Sequence, residues 1–199
     1  MIQFNSQNTF KEIHYDGHDI KYAYGGCSGD LVWEKEPQPF GGKFKLTLND
    51  SSTVSADCSS SNVVTSGEVS PSYSATVVSA EIGNCAIGIG YMAFAWCYSL
   101  KSITISDSVT SIDSYAFYYC TGLRSVTIPS GVISIGENVF VNCTSIQSIT
   151  IEVITPPALG SGAFDNTNDC PIYVPAASVN AYKTATNWSD YADRIQAIP

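Results

Sequence analysis

Positive charge is scarce in this 199-residue chain: nine Lys plus Arg stand against eighteen Asp plus Glu, for a net charge of −9. That balance argues against a nucleic-acid partner, because a phosphate backbone is held by clustered cations. Long apolar runs are missing too. The apolar stretch from Cys85 to Tyr98 is too short to cross a bilayer, which takes about 20 residues, so no membrane insertion is expected. The opening MIQFNSQNTFKEIHYDGHD has neither a basic n-region nor an apolar h-region, so no signal peptide is visible; either export is not encoded here or the precursor is longer. Catalytic signatures are absent as well: there is no Gly-x-Ser-x-Gly elbow, Cys-x-x-Cys pair or Walker loop, and the reading is of a non-enzyme without cofactor or metal.

What is present is a period. SAEIGNCAIGIGYMAFAWCYSLK from Ser79, SITISDSVTSIDSYAFYYCTGLR from Ser102, SVTIPSGVISIGENVFVNCTSIQ from Ser125 and SITIEVITPPALGSGAFDNTNDC from Ser148 overlay at a spacing of 23 residues. Columns then read Ile82, Ile105, Ile128, Ile151, next Phe94, Phe117, Phe140, and Cys97, Cys120, Cys143. Spacings of 20 to 29 with such columns mark a leucine-rich-repeat solenoid. The predicted fold is therefore a β-rich solenoid of the α/β type with a parallel sheet on one face. Apolar content of 44% is enough for a continuous core.

One repeat cannot fold alone. Burying Leu123, Val126, Ile128, Ile135 and Phe140 yields roughly 1.5 to 3 kcal/mol each, whereas ordering a backbone costs about 1 to 2 kcal/mol per residue. Stacking supplies the difference, and both ends need covers. Four zones follow: 1–40, a β module with an Asp16-Gly17 hairpin signal; 41–78, a β-rich N-terminal cap; 79–170, the repeats; and 171–199, a C-terminal cap. The linker is read at EPQPFGG, and a turn cluster at Gly25, Gly26, Ser28 and Gly29. In the last zone ASVNAYKTA and NWSDYADRIQAI predict two short helices, the second with Asn187 as N-cap and Asp190 three residues on. Pro156 and Pro157 disturb the fourth repeat, whose Phe164 comes one residue late.

These units resemble the BspA-like leucine-rich repeats of bacterial surface proteins, in which a strand, an Ile-Gly turn and an Ala-Phe-x-x-Cys segment recur; TPPALGSGAFDNTNDCPIYVPAASVNAYKTATNW is similar to the ending such proteins often carry. The likeness covers about residues 77–199. It implies a curved solenoid and a role in adhesion or host interaction. One departure stands out: the position usually held by Asn or Cys is Cys85, Ser108, Gly131 and Ile154, so no asparagine ladder is available for the turn amides. YDGHDIKYAYGG with DLVWEKE is similar to short modules at the start of phage tail and baseplate-associated proteins, which implies a virion-borne form of the same adhesin.

Three near-motifs are set aside. Gly88-x-Gly90-x-x-Ala93 mimics a dinucleotide fingerprint, but the repeat places Ser111, Asp113, Ala116 and Ser134, Gly136, Val139 in the same columns. His14 and His18 have helical metal spacing, yet Asp16-Gly17 between them favours a hairpin. Asp165, Asn166, Asn168 and Asp169 offer oxygens to a hard cation but read as a polar turn. Of the seven cysteines, Cys97, Cys120 and Cys143 come within disulfide reach on strands about 4.8 Å apart; pointing the same way into the core, they are read as free buried thiols, with seven free groups expected in all.

Two surfaces can bind. Ser102, Thr104, Ser125, Thr127, Ser148 and Thr150 form a hydroxyl sheet face. Tyr91, Trp96, Tyr98, Tyr115, Tyr118 and Tyr119 cluster on the turns of two adjacent repeats, with Asn142 following Trp96 and Tyr119 in one column. Aromatics of this kind suit sugar faces or protein hot spots; inter-coil packing is the competing explanation. The named candidates are Trp96, Tyr98, Tyr115, Tyr118 and Tyr119, and the expected partner is a protein or glycan on a cell surface. Cell-surface, extracellular or virion location goes with that reading. The alternative is a phage virion-associated or structural protein whose N-terminal module docks or oligomerises while the repeats act as a spacer.

Overall fold

The computed structural model describes residues 13–15, 18–20, 23–24, 31–32, 41–57, 62–69 and 73–199. Two compact units divide the chain, Met1–Gln38 and Pro39–Pro199. In the first, β1 (Ile13–Tyr15) pairs antiparallel with β2 (His18–Ile20), Tyr15 opposite His18. Strands thus flank Asp16-Gly17, and His14 and His18 lie on paired strands rather than one helix face. β3 (Ala23–Tyr24) pairs antiparallel with β4 (Leu31–Val32). The predicted linker up to residue 40, the turn cluster at 25–29, and Cys27 and Cys58 lie outside the described residues.

The second unit opens with β5 (Phe44–Leu48), β6 (Thr53–Ala56), β7 (Val63–Val64) and the one-turn α1 (Ser66–Val69). Coils then alternate a long and a short strand: β8 (Val77–Ile82) and β9 (Gly88–Ile89), β10 (Ser102–Ile105) and β11 (Ser111–Ile112), β12 (Ser125–Ile128) and β13 (Ser134–Ile135), β14 (Ser148–Ile151) and β15 (Ala158–Leu159). β16 (Ile172–Val174), α2 (Val179–Thr184) and β17 (Ile195–Ala197) end the chain.

The period shows directly in the register. Ser102 pairs with Ser79 and Ser125 with Ser148, all in parallel strands. Alternation in SITI and SVTI puts Ile103, Ile105, Val126 and Ile128 inside while Ser102, Thr104, Ser125 and Thr127 stay exposed, as the two-residue side-chain period of a strand requires. Long strands form two sheets, β6-β5-β8-β10 and β12-β14-β16-β17; between them Arg124 N–H donates to Lys101 O at 3.2 Å. A second parallel ladder, β7-β9-β11-β13-β15, runs along the short strands. The expected single sheet face is therefore joined by another.

β5 pairs antiparallel with β8 and lays Phe44 and Leu46 on the first coil. Lys43, 1% exposed, bonds Glu68 at 2.5 Å and ties this hairpin to α1. Inside, one phenylalanine per coil forms a continuous stack: Phe94 on Phe117 at 5.2 Å, Phe117 on Phe140 at 5.1 Å, Phe140 on Phe164 at 5.8 Å. The late Phe164 keeps its column because the extra residue is absorbed around Pro156-Pro157, between Ile151 and the Ala158–Ser134 pairing. Cys97, Cys120 and Cys143 are fully buried free thiols. Cys120 and Cys143 donate to Phe94 O and Phe117 O of the preceding coils, each at 3.1 Å. Burial pushes the Cys97 thiol up to about 12 and, aided by Cys143, raises Cys120 well above the ordinary thiol value.

Two expectations need correction. Cys85 is in a disulfide, so the expected seven free thiols are not all present; among the described residues Cys97, Cys120, Cys143 and Cys170 are free. The column of Cys85 is not the inward one of Cys97, and nothing in the periodicity constrained it. NWSDYADRIQAI is not a helix capped by Asn187. A 3-10 turn spans Ser189–Arg194 and gives way to β17, which pairs with β16 and buries Ile195 as the next rung of the ladder. Asn187 takes φ 63° and donates its amide to Leu159 O at 2.5 Å. Closing the core governs this segment: Trp188 and Tyr191 pack on Phe164 at 5.6 and 5.5 Å, and Trp188 Nε1 donates to Pro157 O at 2.9 Å.

Candidate functional site

Between each short strand and the next long one the chain turns, and backbone hydrogen bonds link this third side from coil to coil. N–H groups of Met92, Phe94 and Trp96 donate to the carbonyls of Ser114, Ala116 and Tyr118 on the following coil at 3.3, 2.7 and 2.7 Å. Tyr115, Phe117 and Tyr119 repeat the pattern onto Glu137, Val139 and Val141 at 3.0, 3.0 and 3.1 Å. Intervening residues such as Ala93, Ala95 and Cys97 donate back within their own coil. At the other turn, after each long strand, where the asparagine is replaced, Ala86 and Val109 N–H donate to Gly83 and Ser106 O at 3.0 and 3.1 Å, and Thr110 and Ile133 N–H reach Ile87 and Thr110 O of the preceding coil at 2.9 and 2.8 Å, so backbone acceptors serve those amides without an asparagine ladder.

Alternating the N–H directions forces every fourth residue into the left-handed region. Met92, Tyr115, Asn138 and Gly162 form one such column, and Trp96, Tyr119, Asn142 and Asn166 the other, with φ between 53° and 66°. An ordinary L-residue loses roughly 1 to 2 kcal/mol there, while Gly and Asn visit it readily. The last coils use Asn and Gly. The first two place methionine, tryptophan and two tyrosines in the same strained backbone.

These rings meet edge to face. Tyr91 contacts Tyr115 at 5.9 Å, Tyr115 contacts Tyr118 at 5.5 Å, Trp96 contacts Tyr118 at 5.6 Å and Tyr118 contacts Tyr119 at 4.6 Å. Tyr118 and Tyr115 are half-buried supports, whereas Tyr91, Trp96 and Tyr119 remain 53, 39 and 37% exposed. Of the five candidates, Trp96, Tyr115, Tyr118 and Tyr119 are brought together, and Tyr91 joins them through Tyr115. Tyr98, 51% exposed, makes no ring contact with a described residue.

Side-chain amides extend both columns. Asn138 Nδ2 donates to Tyr115 Oη at 3.1 Å, and Asn166 Nδ2 donates to Asn142 Oδ1 at 3.0 Å. Sequence reading placed Asn142 in the column but missed the row that Asn138 and Asn166 complete; the signal was the taste of asparagine for positive φ. In the polar loop of Asp165, Asn166, Asn168 and Asp169 the first two are engaged in this way: Asp165 Oδ1 accepts from Tyr191 Oη at 2.9 Å and Asn166 bonds Asn142. Among the described residues no cluster of three metal-ligating side chains occurs.

Other faces differ in chemistry. Ser102, Thr104, Ser125 and Thr127 form an exposed hydroxyl surface on the long strands, with Ser148 and Thr150 half-buried. On the short-strand face a shallow groove of about 270 Å³ is lined by Gly90, Ser111, Asp113 and Ser134. The glycines of the false dinucleotide fingerprint belong here: Gly88 is in β9. In the Gly90 column, a Cβ on Gly136 would come within 2.4 Å of Ser114 N.

Comparison with known proteins agrees with this architecture. A family model described as BspA type leucine rich repeat region matches residues 73–186 in six copies. Four units were read from the sequence alone. The match begins at residue 73 and so does not bear on the phage-module likeness of residues 1–40. No curated protein matches the chain. Among solved structures, a leucine rich repeat protein of T. pallidum is similar at 27% identity and TM-score 0.46, over 52% of this chain and 47% of that one. A leucine rich cell surface protein of Faecalibacterium prausnitzii is similar at 24% identity and TM-score 0.37, over 50% of this chain and 36% of that one. This chain thus spans about half or less of either structure's length. A match over more than half of its residues, on coils whose columns, ladders and turns are those described above, means that the chain belongs to the BspA-type leucine-rich-repeat family.

Proposed function

We propose that this protein is a non-enzymatic recognition module that attaches to a cell or host surface through the aromatic turn face of its first two coils. One observation carries the reading. Trp96, Tyr115 and Tyr119 hold a left-handed backbone that the same columns give to Asn138, Asn142 and Asn166 farther along, and strain retained at defined positions is a mark of selection for something other than folding. Ring packing supports the patch internally, but it does not account for three rings left open to solvent.

The hydroxyl sheet face offers a weaker alternative, since each hydrogen bond nets about 0.5 to 1.5 kcal/mol while an aromatic anchor can exceed 2 kcal/mol. An extracytoplasmic location suits this role, and the Cys85 disulfide supports it, since such bonds persist in oxidising compartments. No helix among the described residues is long and apolar enough to cross a membrane.

Attachment of labelled protein to intact bacterial and epithelial cells, read by flow cytometry, tests the assignment. Trp96→Asn with Tyr119→Asn should abolish it, whereas Thr104→Ala with Thr127→Ala should leave it intact. The reverse pattern moves the site to the sheet face. If neither pair matters and light scattering shows oligomers, the repeats are a spacer.

A further inference from the structure

Resting on the reading of the aromatic face as the binding surface, the chemistry around it narrows the ligand. We propose that the occupant is a neutral glycan laid along the solenoid axis, its sugar rings against Trp96, Tyr119 and Tyr91 and its hydroxyls reaching Asn142 and Asn166 on the coils that follow.

Charge is the first argument. The turn segments 90–99, 113–122, 136–145 and 160–169 contain no Lys or Arg, and their acids are Asp113, Glu137, Asp165 and Asp169. The two exposed rings at the start of the row, Tyr91 and Trp96, lie in a segment with no charge at all. Phosphate, sulfate and carboxylate groups find no Lys or Arg within these segments and meet acids instead; Arg194, which reaches the last of them, is engaged with Phe164 O, Thr167 Oγ1 and Cys170 O. Protein hot spots draw on Arg together with Trp and Tyr, and on well-packed pockets. These segments supply no Arg, and the groove lined by Gly90, Ser111, Asp113 and Ser134 lies on the short strands instead.

Polarity is the second argument. A pyranose presents an apolar C–H face and a rim of hydroxyls that both donate and accept, so its complement is an aromatic ring beside an amide. Both columns run in that order: Trp96, Tyr119, Asn142, Asn166 and Met92, Tyr115, Asn138. The Asn166 to Asn142 bond fixes the amide row and leaves the Asn142 NH₂ and the Asn166 carbonyl oxygen without a partner among the described residues. Tyr115 Oη accepts from Asn138, which frees its proton to donate. Length is the third. Three coil steps separate Trp96 from Asn166, a row about 14 Å long at the strand spacing, the reach of a short oligosaccharide rather than of one sugar.

Two measurements test the proposal. In native gels cast with neutral glucans, mannan or galactan, at least one polymer should retard the wild-type protein, and sulfated and uronate polymers should not. Trp96→Asn with Tyr119→Asn should weaken the interaction more than about tenfold, and Asn142→Ala with Asn166→Ala by about three- to tenfold, one or two hydrogen bonds' worth. In parallel, target cells are treated with periodate or with protease before attachment. Loss after periodate supports a glycan. Attachment that survives periodate but not protease identifies a protein ligand and overturns the proposal, while the aromatic face stands. Retardation by acidic polymers alone also overturns it. If the aromatic double variant attaches as well as wild type, the binding face itself is wrong.

Discussion

Replacing Tyr119 separates backbone strain from ring packing. Tyr119 has φ 57° and one edge contact, to Tyr118 at 4.6 Å. Either Tyr119→Ala or Tyr119→Asn forfeits that contact, about 0.5 to 1.5 kcal/mol, and the apolar cover of a ring that is 37% exposed. These losses are common to both variants and cancel in the comparison between them. What remains is the left-handed backbone, whose cost of about 1 to 2 kcal/mol for an ordinary residue is largely lifted by Asn. The Asn variant should therefore be the more stable by about 1 kcal/mol, roughly 2 to 4 °C in melting temperature for a chain of this size. Tyr118, whose φ is not positive, is the control: there the advantage of Asn should vanish. Scanning calorimetry on the four variants reads both differences. Equal melting temperatures for Tyr119→Ala and Tyr119→Asn, or an Ala variant that is the more stable, would refute the claim that these aromatics are held against the backbone's preference.

Phe117 stacks on Phe94 and Phe140 at 5.2 and 5.1 Å, so Phe117→Ala should cost about 3 to 5 kcal/mol and lower hydrogen-exchange protection in the coils on both sides; loss confined to 102–124 contradicts coil interdependence. Glu68→Ala should cost about 3 kcal/mol, the low end for a broken buried pair, because Lys43 is left 1% exposed without its partner; adding Lys43→Met should recover most of the loss in a denaturant melt. Thiol titration of denatured, unreduced protein should find fewer than the seven cysteines of the chain, because Cys85 is in a disulfide, and native Cys97, Cys120 and Cys143 should react slowly. Because the folded Cys97 thiol is raised to about 12, it keeps a proton that the unfolded chain has already lost, and this contribution to stability is complete below pH about 9 and fades as pH climbs toward 12; a denaturation midpoint that rises across that window contradicts the burial of this column.

Much of the interior was legible from periodicity. Side chains recurring every 23 residues must face the same environment in every coil, so the Phe94 to Phe140 stack, the Cys97 to Cys143 column and the Ile82 to Ile151 column could be named before any coordinates, as could the strands flanking Asp16-Gly17. The aromatic cluster was legible as composition only. That Tyr118 is its hub, that Tyr98 stands apart and that Trp96, Tyr115 and Tyr119 have positive φ depends on N–H groups reaching carbonyls more than twenty residues ahead. The short-strand ladder is of the same kind: two residues of Gly-Ile or Ser-Ile carry no strand signal until a neighbouring coil supplies the partners. At the C-terminus a local helix pattern around Asp190 yielded to burial of Trp188, Tyr191 and Ile195 over the open end of the stack. A repeat spells out which residues face inward, because burial repeats with the chain; the sign of a backbone angle and the end of a ladder are set between coils, and only the assembled solenoid decides them.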